Sequence, residues 1–121
     1  MLQIIDIKHD NVIATIANGK LQQQDIEKVH PVIHAILDKG LKIRWYLEMN
    51  NFEGWNIKGL WKDFKMDVAH ERDYERIAVV GEKKWQEWAR QFMKPFTNAN
   101  IKYFEISQKE DAKKWIERDD F

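Results

Sequence analysis

The stretch from Arg76 to Phe96 constrains the fold most. Arg76-Ile77-Ala78-Val79-Val80-Gly81 holds an unbroken apolar run that a glycine ends. Such a run, without alternation of polar residues, is what a strand shows when both of its faces are covered. Trp85, Trp88, Ala89, Phe92 and Phe96 then recur on one helical face that ends near Pro95, whose ring disfavours helix in the residue before it. A buried strand leading straight into an amphipathic helix is half of a crossover unit. Chains built from such units form mainly parallel sheets covered by helices.

The rest of the chain reads the same way. Residues 1–17 predict two short strands, the first through Leu2, Ile4 and Ile5 and the second through Val12, Ala14 and Ile16, with His9-Asp10-Asn11 between them. Asn18-Gly19-Lys20 reads as a breaker. Ile26, Val29, Ile33, Ile36 and Leu37 follow at helical spacing until Gly40 supplies a left-handed cap, and Pro31 marks a kink or a late start. Leu41 to Met49 predicts a buried strand ending at Asn50-Asn51, and Ile57, Leu60, Trp61, Phe64 and Val68 share one face of a further helix. A last strand over Ile101 to Ile106 precedes a short helix with Ala112, Trp115 and Ile116. The order is β-β-α-β-α-β-α-β-α, which predicts an α/β fold: a mixed, mainly parallel sheet with an N-terminal β-hairpin and flanking helices. At 121 residues with no repeat, low-complexity tract or linker, residues 1–121 read as a single domain.

Composition removes several classes of function. Twenty Lys plus Arg balance twenty Asp plus Glu, and neither half of the chain carries an excess, so the counterion release that drives nucleic-acid binding has no patch to act through. The expectation is no nucleic-acid partner. With no cysteine there are no disulfides, thiolate nucleophiles or iron–sulfur ligands. The first ten residues lack a basic stretch followed by an apolar one, and no apolar run approaches the about 18 residues of a membrane span. A cytoplasmic protein is expected, with peripheral contact at the inner membrane surface as the furthest extension.

Candidate chemistry is sparse. The one serine, Ser107, opens Ser107-Gln108-Lys109-Glu110, a capping-box pattern rather than a nucleophile. His30 and His34 stand four apart on a predicted helix, but Pro31 lies between them and no third ligand is evident, so neither a metal nor another cofactor is expected. Glu48 and Glu53 flank the end of the Ile43 to Met49 strand, where ligands of parallel sheets gather. They are the acid/base candidates, with His70, should the protein be a hydrolase; the reading preferred is that it is not an enzyme. Gly81-Glu82-Lys83-Lys84 is a strand-to-helix turn, and neither a dinucleotide-binding nor a Walker sequence is present.

The pattern resembles a known family. Arg76 to Gly81 followed by Trp85, then Lys94-Pro95-Phe96, Tyr103-Phe104 and Glu110-Asp111-Ala112-Lys113-Lys114-Trp115-Ile116, is similar to the SpoIIAA-like family of small bacterial proteins, grouped with the STAS and Sec14-type folds. Asp25, Pro31 and Gly40 fall where that family has its first helix. The resemblance implies a STAS-like sheet flanked by helices, no established enzymatic activity, and binding of apolar ligands or membranes. The family's namesake, an anti-sigma-factor antagonist, is switched by phosphorylation of a serine just after its third main strand. This chain has Asn50-Asn51-Phe52-Glu53-Gly54 there.

Six tryptophans and six phenylalanines remain to be placed. The segment from Trp55 to His70 joins a bulky apolar face to a row of Lys58, Lys62 and Lys65, the composition of a helix that lies at a lipid interface. Gly54 and Gly59 lower its local stability. The expectation is a non-catalytic binding or regulatory domain. Trp55, Ile57, Leu60, Trp61, Phe64, Val68, Trp88 and Phe92 would line an apolar, lipid-like ligand, and Trp55, Lys58, Lys62 and Lys65 would touch the membrane. A homodimer is expected from burial of that aromatic face. The alternative is a protein-interaction module that docks a partner around Asn50 to Trp55.

Overall fold

The computed structural model describes residues 2–5, 10–21, 23–55, 74–92 and 99–118. In chain order these form β1 (Leu2–Ile5), β2 (Val12–Leu21), α1 (Gln23–Asp38), β3 (Ile43–Trp55), β4 (Tyr74–Val80), α2 (Lys83–Phe92), β5 (Asn100–Phe104) and α3 (Lys109–Glu117). The five strands lie in sequence order in one sheet. β1 pairs with β2 antiparallel, and β2, β3, β4 and β5 are parallel. The helix expected over Ile57 to Val68, and His70 after it, lie outside the described residues.

The central strand β3 is buried on both sides, and its alternation sorts the core into two. Ile43, Trp45, Leu47 and Met49 face Val29, Ile33 and Ile36 of α1, together with Ile13 and Ala17 of β2 and Ile77 and Val79 of β4. Tyr46 faces the other way, with Val12, Ala14, Ala78 and Val80, against Ala112, Trp115 and Ile116 of α3. Trp85 of α2 packs on the same side as α1. Crossovers that advance across a sheet in one direction with one hand place their helices on one face, so α1 and α2 share a side; among the described residues, α3 is the helix on the second.

Among the described residues, buried polar side chains are paired. The Trp45 indole Nε1 donates to Thr15 Oγ1 at 2.9 Å, and that hydroxyl donates to the Tyr46 carbonyl at 3.4 Å. Asp25, buried in the first turn of α1, accepts the Leu2 amide at 3.0 Å and so ties β1 to the helix. Two arginines hold the end of α3. Arg44 Nη1 donates to the carbonyls of Ile116 (3.1 Å) and Arg118 (2.6 Å), and Arg76 Nη1 to those of Trp115 (3.0 Å) and Arg118 (2.8 Å). Cations at a helix C-terminus meet both its unpaired carbonyls and its negative dipole end.

Several boundaries differ from those read in the sequence. β2 continues through Asn18-Gly19-Lys20 to Leu21, and β3 passes Asn50-Asn51 to reach Trp55. Register shifts at Gly19, with Gly19 at φ 65° and Asn51 at φ 54°, absorb the breaker residues as bulges, because the paired partner strand holds the backbone on either side. Helix α1 begins at Gln23 and runs on through Pro31. That proline is exposed, so its missing N–H and ring fall on the solvent side. Gly40, at φ 75°, ends the helix as expected. At the last helix the cap lies two residues earlier than the Ser107 pattern. The Glu105 amide donates to Gln108 Oε1 at 3.1 Å, and Ile106–Gln108 form a 3-10 turn before α3.

Ile77 is fully buried in the central sheet, and Ile77→Ala should lower stability by about 2–5 kcal/mol through lost burial and a residual cavity. Urea unfolding of the two proteins measures this, and a loss under about 1 kcal/mol would contradict the two-sided burial of β4.

Candidate functional site

A parallel sheet offers a crevice where the helices following two adjacent strands leave to opposite faces. Here β4 leads into α2 on the α1 side, and its neighbour β5 leads into α3 on the other side. The sheet therefore opens at the carboxyl ends of β4 and β5. An open cleft of about 360 Å³ lies there, lined by Gly81, Glu82, Lys83, Glu105, Ile106 and Ser107.

Its frame is rigid. The Gly81 amide donates to the Phe104 carbonyl at 3.0 Å, and Gln86 Nε2 donates to the carbonyls of both Gly81 (3.0 Å) and Phe104 (3.1 Å). One side chain of α2 thus staples the two strand ends. Gly81 packs closely on Met49: a Cβ there would stand 3.2 Å from Met49 Cε and 3.4 Å from Met49 Cβ, so the methionine side chain would have to shift to admit one. On this frame the side chains of Glu82, Lys83, Glu105, Ile106 and Ser107 are exposed. They present mixed charge, a hydroxyl and one aliphatic group, a surface suited to contact. The sequence had marked the Gly81 turn and Ser107 separately; their meeting was missed, because only the opposite departure of α2 and α3 brings them together.

Glu48 lies in the middle of β3, at that strand's last pairing with β4, beside Val80. It is buried, and Tyr46 Oη donates to its Oε1 at 2.6 Å. Burial, the hydrogen bond to Glu48 and the nearby charges of Glu48 and Glu110 push the Tyr46 hydroxyl far above its ordinary range. Burial also raises Tyr103, against the pull of Arg90. The pair Tyr46–Glu48 acts as a packed polar unit beneath α3.

The other candidates fall as follows. Glu53 lies in β3, its side chain outside the described residues. Trp55 is the last residue of β3, paired in register with Leu21, rather than the start of a helix. Its side chain, those of Trp88 and Phe92 on α2, and all of Ile57, Lys58, Leu60, Trp61, Lys62, Phe64, Lys65 and Val68 lie outside the described residues. His34 is exposed on α1, and the side chain of His30 is outside them too. Among the described residues no three His, Asp or Glu gather as a metal site, and no helix is long and apolar enough to cross a membrane.

With this geometry, the comparisons identify the family. A SpoIIAA-like family model matches residues 12–117, and the chain belongs to the SpoIIAA-like family. Among solved structures, an uncharacterized protein with a SpoIIAA-like fold from Shewanella loihica superposes with a TM-score of 0.70 at 27% identity, over 96% of this chain and 92% of that one. The search of curated proteins returned no match.

Two outcomes follow from the Tyr46–Glu48 pair. Tyr46→Phe removes the donor and leaves a buried carboxylate oxygen unpaired, which should cost about 1–3 kcal/mol. Urea unfolding measures it, and an unchanged midpoint would contradict the bond. The folded state also holds Tyr46 protonated where the unfolded chain, with its tyrosine near 10.0, ionises. Its contribution is fully present below about pH 10 and falls as pH rises beyond it, by about 1.4 kcal/mol per unit. Tyrosinate absorbance at alkaline pH should show at least one tyrosine, Tyr46, ionising only as the protein unfolds. Smooth titration of all three in the folded state would contradict the burial.

Proposed function

We propose that this SpoIIAA-like domain is a non-catalytic protein-interaction module that docks a partner at the carboxyl-end crevice between β4 and β5. The observation that carries the reading is the crevice itself: a rigid frame set by Gln86 and Gly81, presenting exposed side chains of both charges with Ile106 at 38% exposure. An open, polar-rimmed surface with one aliphatic contact matches a protein surface better than an acyl chain. A domain family often engaged in protein–protein interaction is consistent with it. The side chains of Glu48 and Gln86 also favour scaffolding, since Glu48 is engaged by Tyr46 and Gln86 by two carbonyls.

A second reading concerns the aromatic segment. β3 runs past its last pairing with β4, at Glu48 and Val80, and delivers Trp55 at the same end of the sheet as the crevice. An apolar, lipid-like ligand would be taken by Trp55, Ile57, Leu60, Trp61, Phe64, Val68, Trp88 and Phe92, and the membrane surface by Trp55, Lys58, Lys62 and Lys65. A second copy of the chain is the other partner of that face. In either reading the protein works without chemistry, in the cytoplasm or peripherally at the inner membrane surface.

Native mass spectrometry of protein purified without detergent separates the readings. A stoichiometric protein adduct is expected from the first, and a lipid-sized adduct or a homodimer from the second. A bare monomer, recovered from cells at native expression level, would contradict both.

A further inference from the structure

We propose that Asn18-Gly19 is a site of spontaneous covalent modification: in the folded protein the Asn18 side chain closes onto the main chain and reopens as isoaspartate or aspartate. This chemistry asks three things of an asparagine. Solvent must reach its side chain, the next residue must leave its amide nitrogen open to attack, and the peptide between them must be able to turn. Asn18 is exposed. Gly19 has no side chain, and among the described residues nothing lies within 4 Å of where a Cβ on it would stand. The register supplies the third condition. It passes from Ala17–Met49 to Gly19–Phe52 and then to Lys20–Gly54, with a shift on each side of Gly19, so the Asn18–Gly19 peptide lies inside the bulge rather than in a regular step of the ladder. Gly19 stands there at φ 65°. Among the described residues, the pairing of β2 with β1 reaches Ala17 and goes no further toward Asn18. The other described asparagines, Asn11, Asn50, Asn51 and Asn100, precede Val12, Asn51, Phe52 and Ile101, whose side chains shield the amide that would attack.

The step consumes water and releases ammonia. The Gly19 amide nitrogen gives its proton to hydroxide and bonds to Asn18 Cγ; the Cγ–Nδ2 bond breaks, and the nitrogen leaves with a proton from solvent as ammonia. The product is a succinimide ring. Water then adds at one of its two carbonyls. Opening at Cγ restores the original main chain with an aspartate, whereas opening at the main-chain carbonyl leaves the chain running through the former side chain, as isoaspartate. Either product sets a carboxylate next to Lys20 and takes the formal charge of the chain from zero to minus one. Isoaspartate also adds a methylene to the main chain of β2 between the Ala17–Met49 and Lys20–Gly54 pairs. Past that point β2 holds the end of β3 through Lys20–Gly54 and Leu21–Trp55, so the inserted atom loosens the strand end that carries Trp55.

Peptide mass mapping of the full folded chain, aged at mildly alkaline pH beside the same chain unfolded in guanidinium chloride, tests the proposal. The peptide spanning Asn18 should gain one mass unit in the folded protein at a rate within about tenfold of the unfolded one. It should also become a methyl acceptor for an isoaspartyl methyltransferase supplied with S-adenosylmethionine. Peptides holding Asn11, Asn50, Asn51 and Asn100 should convert at least about tenfold more slowly. Asn18→Gln, which would have to close a larger ring, should remove both signals. In the aged protein the amides of Lys20 and Leu21 should lose about tenfold in hydrogen-exchange protection, with those of Ile13 and Leu47 unchanged. Absence of conversion at Asn18 in the folded chain would overturn the proposal, because the paired strands would then hold the peptide too firmly to close the ring. Equal conversion at the other asparagines would overturn the role given to Gly19, and unchanged protection of Lys20 and Leu21 would overturn the loosening of β3.

Discussion

The double burial of β3 is the constraint on which the other elements depend. Its odd residues, Ile43 to Met49, supply the larger core beneath α1, and its even residues, Arg44, Tyr46 and Glu48, supply a polar face beneath α3. A strand whose two sides differ this much fixes which helix belongs where. A one-residue slip would turn Trp45 and Leu47 toward α3 and carry Arg44 and Glu48 into the apolar core, so the register is firmly set. Thr15 reinforces it by accepting the Trp45 indole.

From that strand the rest follows in order. Crossovers of one hand put α1 and α2 together on the apolar side, and the last helix falls to the opposite face. The divergence of α2 and α3 then opens the crevice between β4 and β5, and Gln86 and Gly81 keep its floor fixed. The charged residues do different work at the two ends of the sheet. At the amino ends, Arg44 and Arg76 are spent on the carbonyls of α3. At the carboxyl ends, Glu82, Lys83 and Glu105 stand exposed.

Much of this was legible in the residues. The apolar run at Ile77 to Val80, the helical spacing of α1, the Gly40 cap and the parity of Ile43 to Met49 each carry their structure locally, because period and turn chemistry act over a few positions. The family resemblance rested on those same positions. What was illegible depends on distant partners. The bulged course of β2 and β3 past Gly19 and Asn51 requires each strand to support the other, so each looked broken alone. The arginine grip joins Arg44 to residues more than seventy positions away. Glu105 and Ser107 both begin plausible capping patterns, and the 3-10 turn that selects Glu105 comes from how β5 meets α3. The crevice was present in the sequence as two unconnected turns.

The central claim is that the carboxyl-end crevice is the working surface, and site-specific photo-crosslinking in the native host tests it most directly. A benzophenone side chain would be placed at Ile106, in the crevice, and at Leu41, at the amino end of β3; both positions are exposed, at 38% each. The account predicts a discrete, reproducible protein adduct from position 106 and none from position 41. Adducts from position 41 alone, or the same pattern from both positions, would contradict it.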